Sequence, residues 1–224
     1  MGIASRIDHT ILKPTTTITE VEQLCTEAVT YGFAAVCVPP PFVKRCKEIL
    51  SPTPVQVATV IGFPFGYSAI EAKVAETVLA MVDGADEIDM VINLIALKGK
   101  DWDYLKREVL LLLEVVRSKS KVLKVIIESG ILSQEEIIRC CEIYGEAGID
   151  YLKTSTGYAE KGASVETVQL MRTHLPSGIR IKASGGIRTF DFAQQLVAAG
   201  ADRLGCSASV AIVQNDPGLV TGNY

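Results

Sequence analysis

Short runs of β-branched and aliphatic residues alternate with longer stretches in which apolar positions recur every three or four residues. The runs at residues 7–10, 34–38, 55–61, 87–93, 122–128, 151–155, 180–184 and 203–206 predict eight strands. Between them, Val21, Leu24, Cys25 and Ala28 share one helical face. Ile70, Val74, Val78 and Met81 form a second such stripe, and Phe192, Ala193, Leu196 and Val197 a third. Ser133 with Glu136 reads as a capping box opening the helix that carries Ile137 and Cys141.

The segments Asp83–Asp89, Ala147–Lys153 and Ala199–Leu204 resemble one another. In each, a glycine closes a helix and a buried strand begins at once. Eight strand-then-helix units in 224 residues, about 28 residues each, predict an α/β fold, a (β/α)8 TIM barrel. A doubly wound open sheet is the alternative, but no Gly-x-Gly-x-x-Gly opens a helix after the first strand. No Pro/Gly/Ser linker divides the chain, so residues 1–224 are expected to form one barrel domain, with 213–224 a mobile C-terminal tail.

A net charge of −4 argues against a general nucleic-acid binder. No apolar run reaches the roughly 18 residues of a membrane span, and the N-terminus lacks the pattern of a signal peptide. The six cysteines form no Cys-x-x-Cys pair and fall mostly on apolar positions. They read as reduced thiols of a cytoplasmic protein. His9 and His174 are far apart and read as structural, so no metal site is expected.

Successive strand residues point to opposite faces. In each strand the greasier parity should meet the helices. That places Asp89, Lys124, Lys153 and Lys182 together in the interior, and Asp8, Thr10 and Cys37 can join them. One buried lysine is usually a satisfied ion pair. Four inward charges near the C-terminal halves of separate strands are not explained that way, because buried pairs stabilise poorly and active sites of this fold lie at the strand C-termini. An ammonium that loses its hydration tends toward a lower pKa. A neutral amine attacks carbonyls, so Lys153 and Lys182 point to Schiff-base chemistry.

Ser184-Gly185-Gly186-Ile187-Arg188 follows the strand of Lys182, and Gly205-Cys206-Ser207 ends the last strand. Each precedes a predicted helix. Adjacent glycines let backbone amides approach a ligand, and helix N-termini attract anions. Phosphate sites after strands 7 and 8 are frequent in (β/α)8 enzymes.

The stretches Arg6–Thr10, Ala58–Pro64, Glu87–Asn93, Leu123–Glu128, Lys153–Gly157 and Lys182–Arg188 strongly resemble the deoxyribose-phosphate aldolase family, in order, from about residue 6 to about residue 210. The Lys-Thr-Ser-Thr-Gly and Lys-x-x-Gly-Gly pair carries most of the likeness. The resemblance implies a class I aldolase that needs no cofactor and reversibly cleaves 2-deoxy-D-ribose 5-phosphate to D-glyceraldehyde 3-phosphate and acetaldehyde. It implies Lys153 as Schiff-base nucleophile, Lys182 as the cation beside it, Asp89 as acid/base and Lys124 in the same network. It also implies Thr156, Gly157, Gly185, Gly186 and Ser207 at the substrate and phosphate, and a homo-oligomer, dimer or tetramer. Tyr158 and Ala208 depart from relatives with a basic residue and a second serine there. In some relatives a C-terminal tyrosine helps proton transfer, a role the resemblance leaves open for Tyr224.

Three rivals stand beside this reading: another Schiff-base barrel aldolase or transaldolase, a metal-dependent sugar-phosphate epimerase, and a non-catalytic phosphate-binding barrel.

Overall fold

The eight-strand pattern closes on itself. The computed structural model describes residues 2–214. Its strands are β1 (Ile7–Thr10), β2 (Ala35–Val38), β3 (Gln56–Ile61), β4 (Glu87–Val91), β5 (Val122–Ile126), β6 (Tyr151–Lys153), β7 (Arg180–Ser184) and β8 (Arg203–Cys206). All neighbours pair in parallel and β8 returns to β1, so this is a (β/α)8 TIM barrel.

The helices between them are α1 (Ile18–Tyr31), α2 (Val43–Leu50), α3 (Ile70–Val82), α4 (Leu94–Lys98), α5 (Trp102–Arg117), α6 (Gln134–Ala147), α7 (Val165–His174) and α8 (Phe190–Ala198), with α9 (Ser209–Gln214) after β8. Thr17 and Ser133 close capping boxes at α1 and α6, which satisfies amides that the first turn leaves unpaired. Gly148 caps α6 in the left-handed conformation (φ 71°), as the repeat predicts. Gly84 and Gly200 also have positive φ, one residue beyond the helix cap.

The main core lies between the barrel and the helices, where Ile88, Met90, Leu123, Val125, Leu152, Ile181 and Leu204 are fully buried. Parity sends the alternate residues inward. On the β2–β3 side the interior is apolar, with Leu12, Cys37, Ala58 and Val60 in contact. On the β4–β8 side, joined by β1, it is charged.

Four expectations need correction. The strand expected over 122–128 ends at Ile126, because Glu128 adopts a left-handed conformation (φ 52°), uncommon for a residue with a Cβ, and turns its carboxylate toward Thr156. The strand expected to reach residue 93 ends at Val91, and Asn93 instead caps α4. On α3 the buried face is Ile70, Lys73, Thr77 and Ala80, while Val78 is 44% exposed. The tail expected from residue 213 begins inside α9; its remainder, with Tyr224, lies outside the described residues.

Candidate active site

Register brings the inward charges together. Asp89 pairs with Lys124 across β4 and β5, and Lys153 with Lys182 across β6 and β7. Asp8 lies beside Gly205. A Cβ on Gly205 would sit 3.1 Å from Lys182 Cε and 2.9 Å from Ser184 Cβ, so glycine there leaves room for the lysine stem.

Asp89 is the hub. Its Oδ1 accepts from Lys124 Nζ at 2.7 Å; its Oδ2 accepts from Lys153 Nζ at 2.8 Å and Lys182 Nζ at 2.7 Å. Lys182 also donates to Asp8. Lys124 reaches Glu87 at 2.5 Å. Arg203 joins Asp8 at 2.5 Å and Glu87 at 3.3 Å. The Arg203 guanidinium lies 5.6 Å from the Tyr151 ring, whose other contact is Arg180 at 4.0 Å.

The cluster's electrostatics separate the lysines. Among the described residues, Lys124, Lys153, Lys182 and Arg203 make their ion pairs with Asp8, Glu87 and Asp89, and Glu128 interacts with Lys153 at longer range. Burial raises the pKa of Asp8 and Asp89, but the surrounding cations overcome it and hold both well below the usual carboxylate range. Burial also works against charge on Lys182, yet Asp8 and Asp89 hold it well above the usual lysine value. Lys124 is likewise raised, with Asp89 and Glu87 outweighing burial. Lys153 alone moves down: burial leads, Lys182 adds repulsion, and Asp89 offsets them only in part.

Above these strand ends lies a cavity of about 540 Å³. Gly157, Gly185, Gly186 and Ser207 line it, together with Tyr158, Glu160 and Arg188. Gly157, Gly185 and Gly186 have φ of 94°, 86° and 77°, a region that side chains rarely adopt. Arg188 is the cavity's cationic side chain and was not singled out from sequence, although it directly follows the Gly-Gly-Ile turn. Thr156 lies below the lining: its hydroxyl donates to Glu128 and accepts from the Tyr158 amide at 3.0 Å.

Among the described residues, two expected members make no hydrogen bond or ion pair with the cluster's lysines, although Cys37 lies near enough to Lys182 and Lys153 to feel their charge. Thr10 donates its hydroxyl to the Asp8 carbonyl at 2.8 Å and borders a second cavity, beside His9 and Ser207. Cys37 faces inward but sits in the apolar half, and burial pushes its thiol up. His9 lies between Glu27 (2.7 Å) and Ser209 (2.9 Å). Glu87 and Arg203 complete the cluster and were missed. Glu87 shares the inward parity of Asp89, which was the available signal.

A parallel barrel with an amine cluster at its strand C-termini defines a lysine-bearing barrel enzyme of the aldolase kind. The family comparison makes that specific. The model of the DeoC/LacD family aldolase matches residues 3–222, and the chain belongs to that family. The deoxyribose-phosphate aldolase of Caldanaerobacter subterraneus subsp. tengcongensis is 49% identical over 215 residues, covering 96% of this chain and 93% of the relative. That of Thermococcus gammatolerans is 50% identical over 216 residues, covering 96% of each. Among solved structures, the deoxyribose phosphate aldolase of Aeropyrum pernix, described as tetrameric, superimposes with a TM-score of 0.90 at 34% identity, covering 97% of this chain and 92% of that one. Among the described residues, no helix is long and apolar enough to cross a membrane.

Proposed function

We propose that this chain cleaves 2-deoxy-D-ribose 5-phosphate reversibly to D-glyceraldehyde 3-phosphate and acetaldehyde through a Schiff base on Lys153, in the breakdown of deoxynucleoside sugars. The observation that carries it is the divergence of two buried lysines on adjacent strands: Lys182 is held charged and Lys153 is pushed toward the free amine.

The neutral Lys153 amine adds to the C1 carbonyl of the open-chain sugar, and loss of water gives a protonated imine. That imine withdraws electrons from the C2–C3 bond. As the C3 hydroxyl loses its proton, the bond breaks, C3 leaves as the aldehyde of glyceraldehyde 3-phosphate, and an enamine remains on Lys153. Protonation at C2 and hydrolysis then release acetaldehyde and regenerate the amine. In this reading Asp89 relays these protons through a water, and its hydrogen bonds to Lys153 and Lys182 support that role. Lys124, Asp8, Glu87 and Arg203 fix its charge and orientation.

The phosphate is assigned to the glycine-lined cavity, with backbone amides at Gly157, Gly185 and Gly186, the Ser207 hydroxyl and Arg188. Residues 1–224 act as one catalytic domain in the cytoplasm, with no added metal or cofactor, as a homo-oligomer. The tetramer of the A. pernix relative supports the last point.

The test is direct. Purified protein given 2-deoxy-D-ribose 5-phosphate releases acetaldehyde at a rate unchanged by a chelator. Lys153→Ala loses on the order of 10⁴-fold, the scale of removing a covalent nucleophile. Chelator sensitivity, or a Lys153→Ala variant with near-parent turnover, overturns the reading.

A further inference from the structure

A second buried ion pair lies outside the barrel. Lys73 on α3 and Glu108 on α5 meet at 2.6 Å with both side chains fully buried. Such a pair is a poor investment for stability alone, since apolar residues of similar volume often stabilise as well or better. Burial leads in pushing Lys73 below and Glu108 above their usual values, which registers that cost.

What the pair does hold is backbone. Lys73 Nζ donates to the Val91 carbonyl at 2.7 Å, and the Asn93 amide donates to Glu108 at 3.1 Å. Between them the Ile92 amide donates to the Ile126 carbonyl at 3.1 Å. A Cβ on Gly66 would come within 1.8 Å of the Ile92 carbonyl oxygen, so the β3–α3 loop presses on the same peptide. Val91, the last residue of β4, and the two that follow it, Ile92 and Asn93, are therefore fixed from three sides.

The clamp also reaches the cavity. The Lys73 stem occupies the space where a Gly62 Cβ would sit, 2.7 Å from its Cε, and Glu76 of α3 accepts the Gly62 amide at 2.7 Å. The next residue, Phe63, meets the Tyr158 ring edge-on at 5.4 Å, and Tyr158 lines the cavity.

We propose that Lys73 and Glu108 are positioning residues for the reaction: they set the end of β4 and the β3–α3 loop, and so hold Asp89 at proton-transfer distance from Lys153. This rests on the assignment of Asp89 above and adds residues that touch no substrate.

The test uses Glu108→Gln, nearly isosteric, and Lys73→Met/Glu108→Met, which removes both charges together. Each is assayed for kcat, KM and the solvent deuterium isotope effect on kcat, beside the parent and Asp89→Asn. The expected result is a kcat lowered about tenfold, KM within about twofold and a larger isotope effect, because proton transfer becomes slower while the phosphate contacts are untouched. If the double variant does not fold, Glu108→Gln decides alone. A purely structural pair lowers the unfolding temperature with kcat and isotope effect unchanged below it, and that result overturns the proposal. Should Asp89→Asn keep parent kcat, the Asp89 assignment fails and the clamp falls with it. Should Asp89→Asn be inactive while Glu108→Gln keeps parent kcat, only the clamp falls.

Discussion

The barrel interior and the layer between barrel and helices both bury lysines, and they do so on different terms. In the outer layer Lys73 makes an ion pair with Glu108, and Glu76 of the same helix adds a second carboxylate nearby. In the interior three lysines and Arg203 make ion pairs with three carboxylates, and the buried Glu128 lies near enough to Lys153 to feel its charge. There, burial lowers the pKa of Lys153 and Lys182 adds repulsion; among the described residues its ion pair is with Asp89, whereas Lys124 and Lys182 each meet more than one carboxylate. Burial pushes both Lys73 and Lys153 below the usual lysine value; what sets Lys153 apart is the second cation, Lys182, on the adjacent strand.

Among changes beside the nucleophile, the largest effect on catalysis should follow from removing that second cation. Lys182→Met removes the cation that repels a proton from Lys153 and frees Asp89 to favour one, so the Lys153 pKa rises. At neutral pH kcat/KM should fall on the order of 10²-fold, and the acid limb of its pH profile should move to higher pH. An unmoved limb would break the link between the two lysines.

Next is the outer pair. Lys73→Ala leaves Glu108 buried without its cation and should cost roughly 3–5 kcal/mol in denaturant unfolding. A cost near that of an ordinary surface substitution would show that the charge of this pair is not what holds it.

The cavity offers a smaller, sharper test. Gly186→Ala meets no neighbouring atom within 4 Å, so its effect comes from backbone strain at φ 77°. KM for the phosphorylated sugar should rise about tenfold, one charge-assisted contact being worth about 1.4 kcal/mol or more. Activity on unphosphorylated 2-deoxyribose should barely change. Equal losses on both sugars would remove the anion from this cavity.

The smallest effect is on stability. A lysine whose folded pKa is lowered costs stability wherever the unfolded chain would protonate it, and that cost disappears as pH rises past the ordinary value of 10.5. Lys153→Met should therefore raise the melting temperature at pH 7 by roughly 2–4 °C, about 1 kcal/mol for a chain of this size, with the gain shrinking above pH 10. A lower melting temperature would mean that Lys153 is a satisfied ion pair after all.

Strand order, parity and the inward set Asp8, Asp89, Lys124, Lys153 and Lys182 were legible in the sequence because a period of two leaves little choice of face. So were the glycine turns of the cavity. Glu87 and Arg203 were less so, since each sits at the first residue of its strand, where a charge also suits solvent. Lys73 and Glu108 were hidden for another reason. On a helix the buried stripe is inferred from hydrophobicity, and α3 breaks that rule: it buries Lys73 and Thr77 while Leu79 and Val82 are 61% and 77% exposed. Only the meeting of two distant segments reveals that each carries the other's counter-charge. The turn of Glu128 into the left-handed region was hidden too, because a β-branched run gives no local sign of where a non-glycine residue will leave it.

The most direct measurement is reductive trapping. The protein is mixed with acetaldehyde or 2-deoxy-D-ribose 5-phosphate, reduced with borohydride, and the modified peptide located by mass spectrometry at several pH values. The account predicts an adduct on Lys153, formed readily at neutral pH, absent in Lys153→Ala and never on Lys182. An adduct on Lys182, or one spread over surface lysines, would contradict the claim that burial and the neighbouring Lys182 select Lys153.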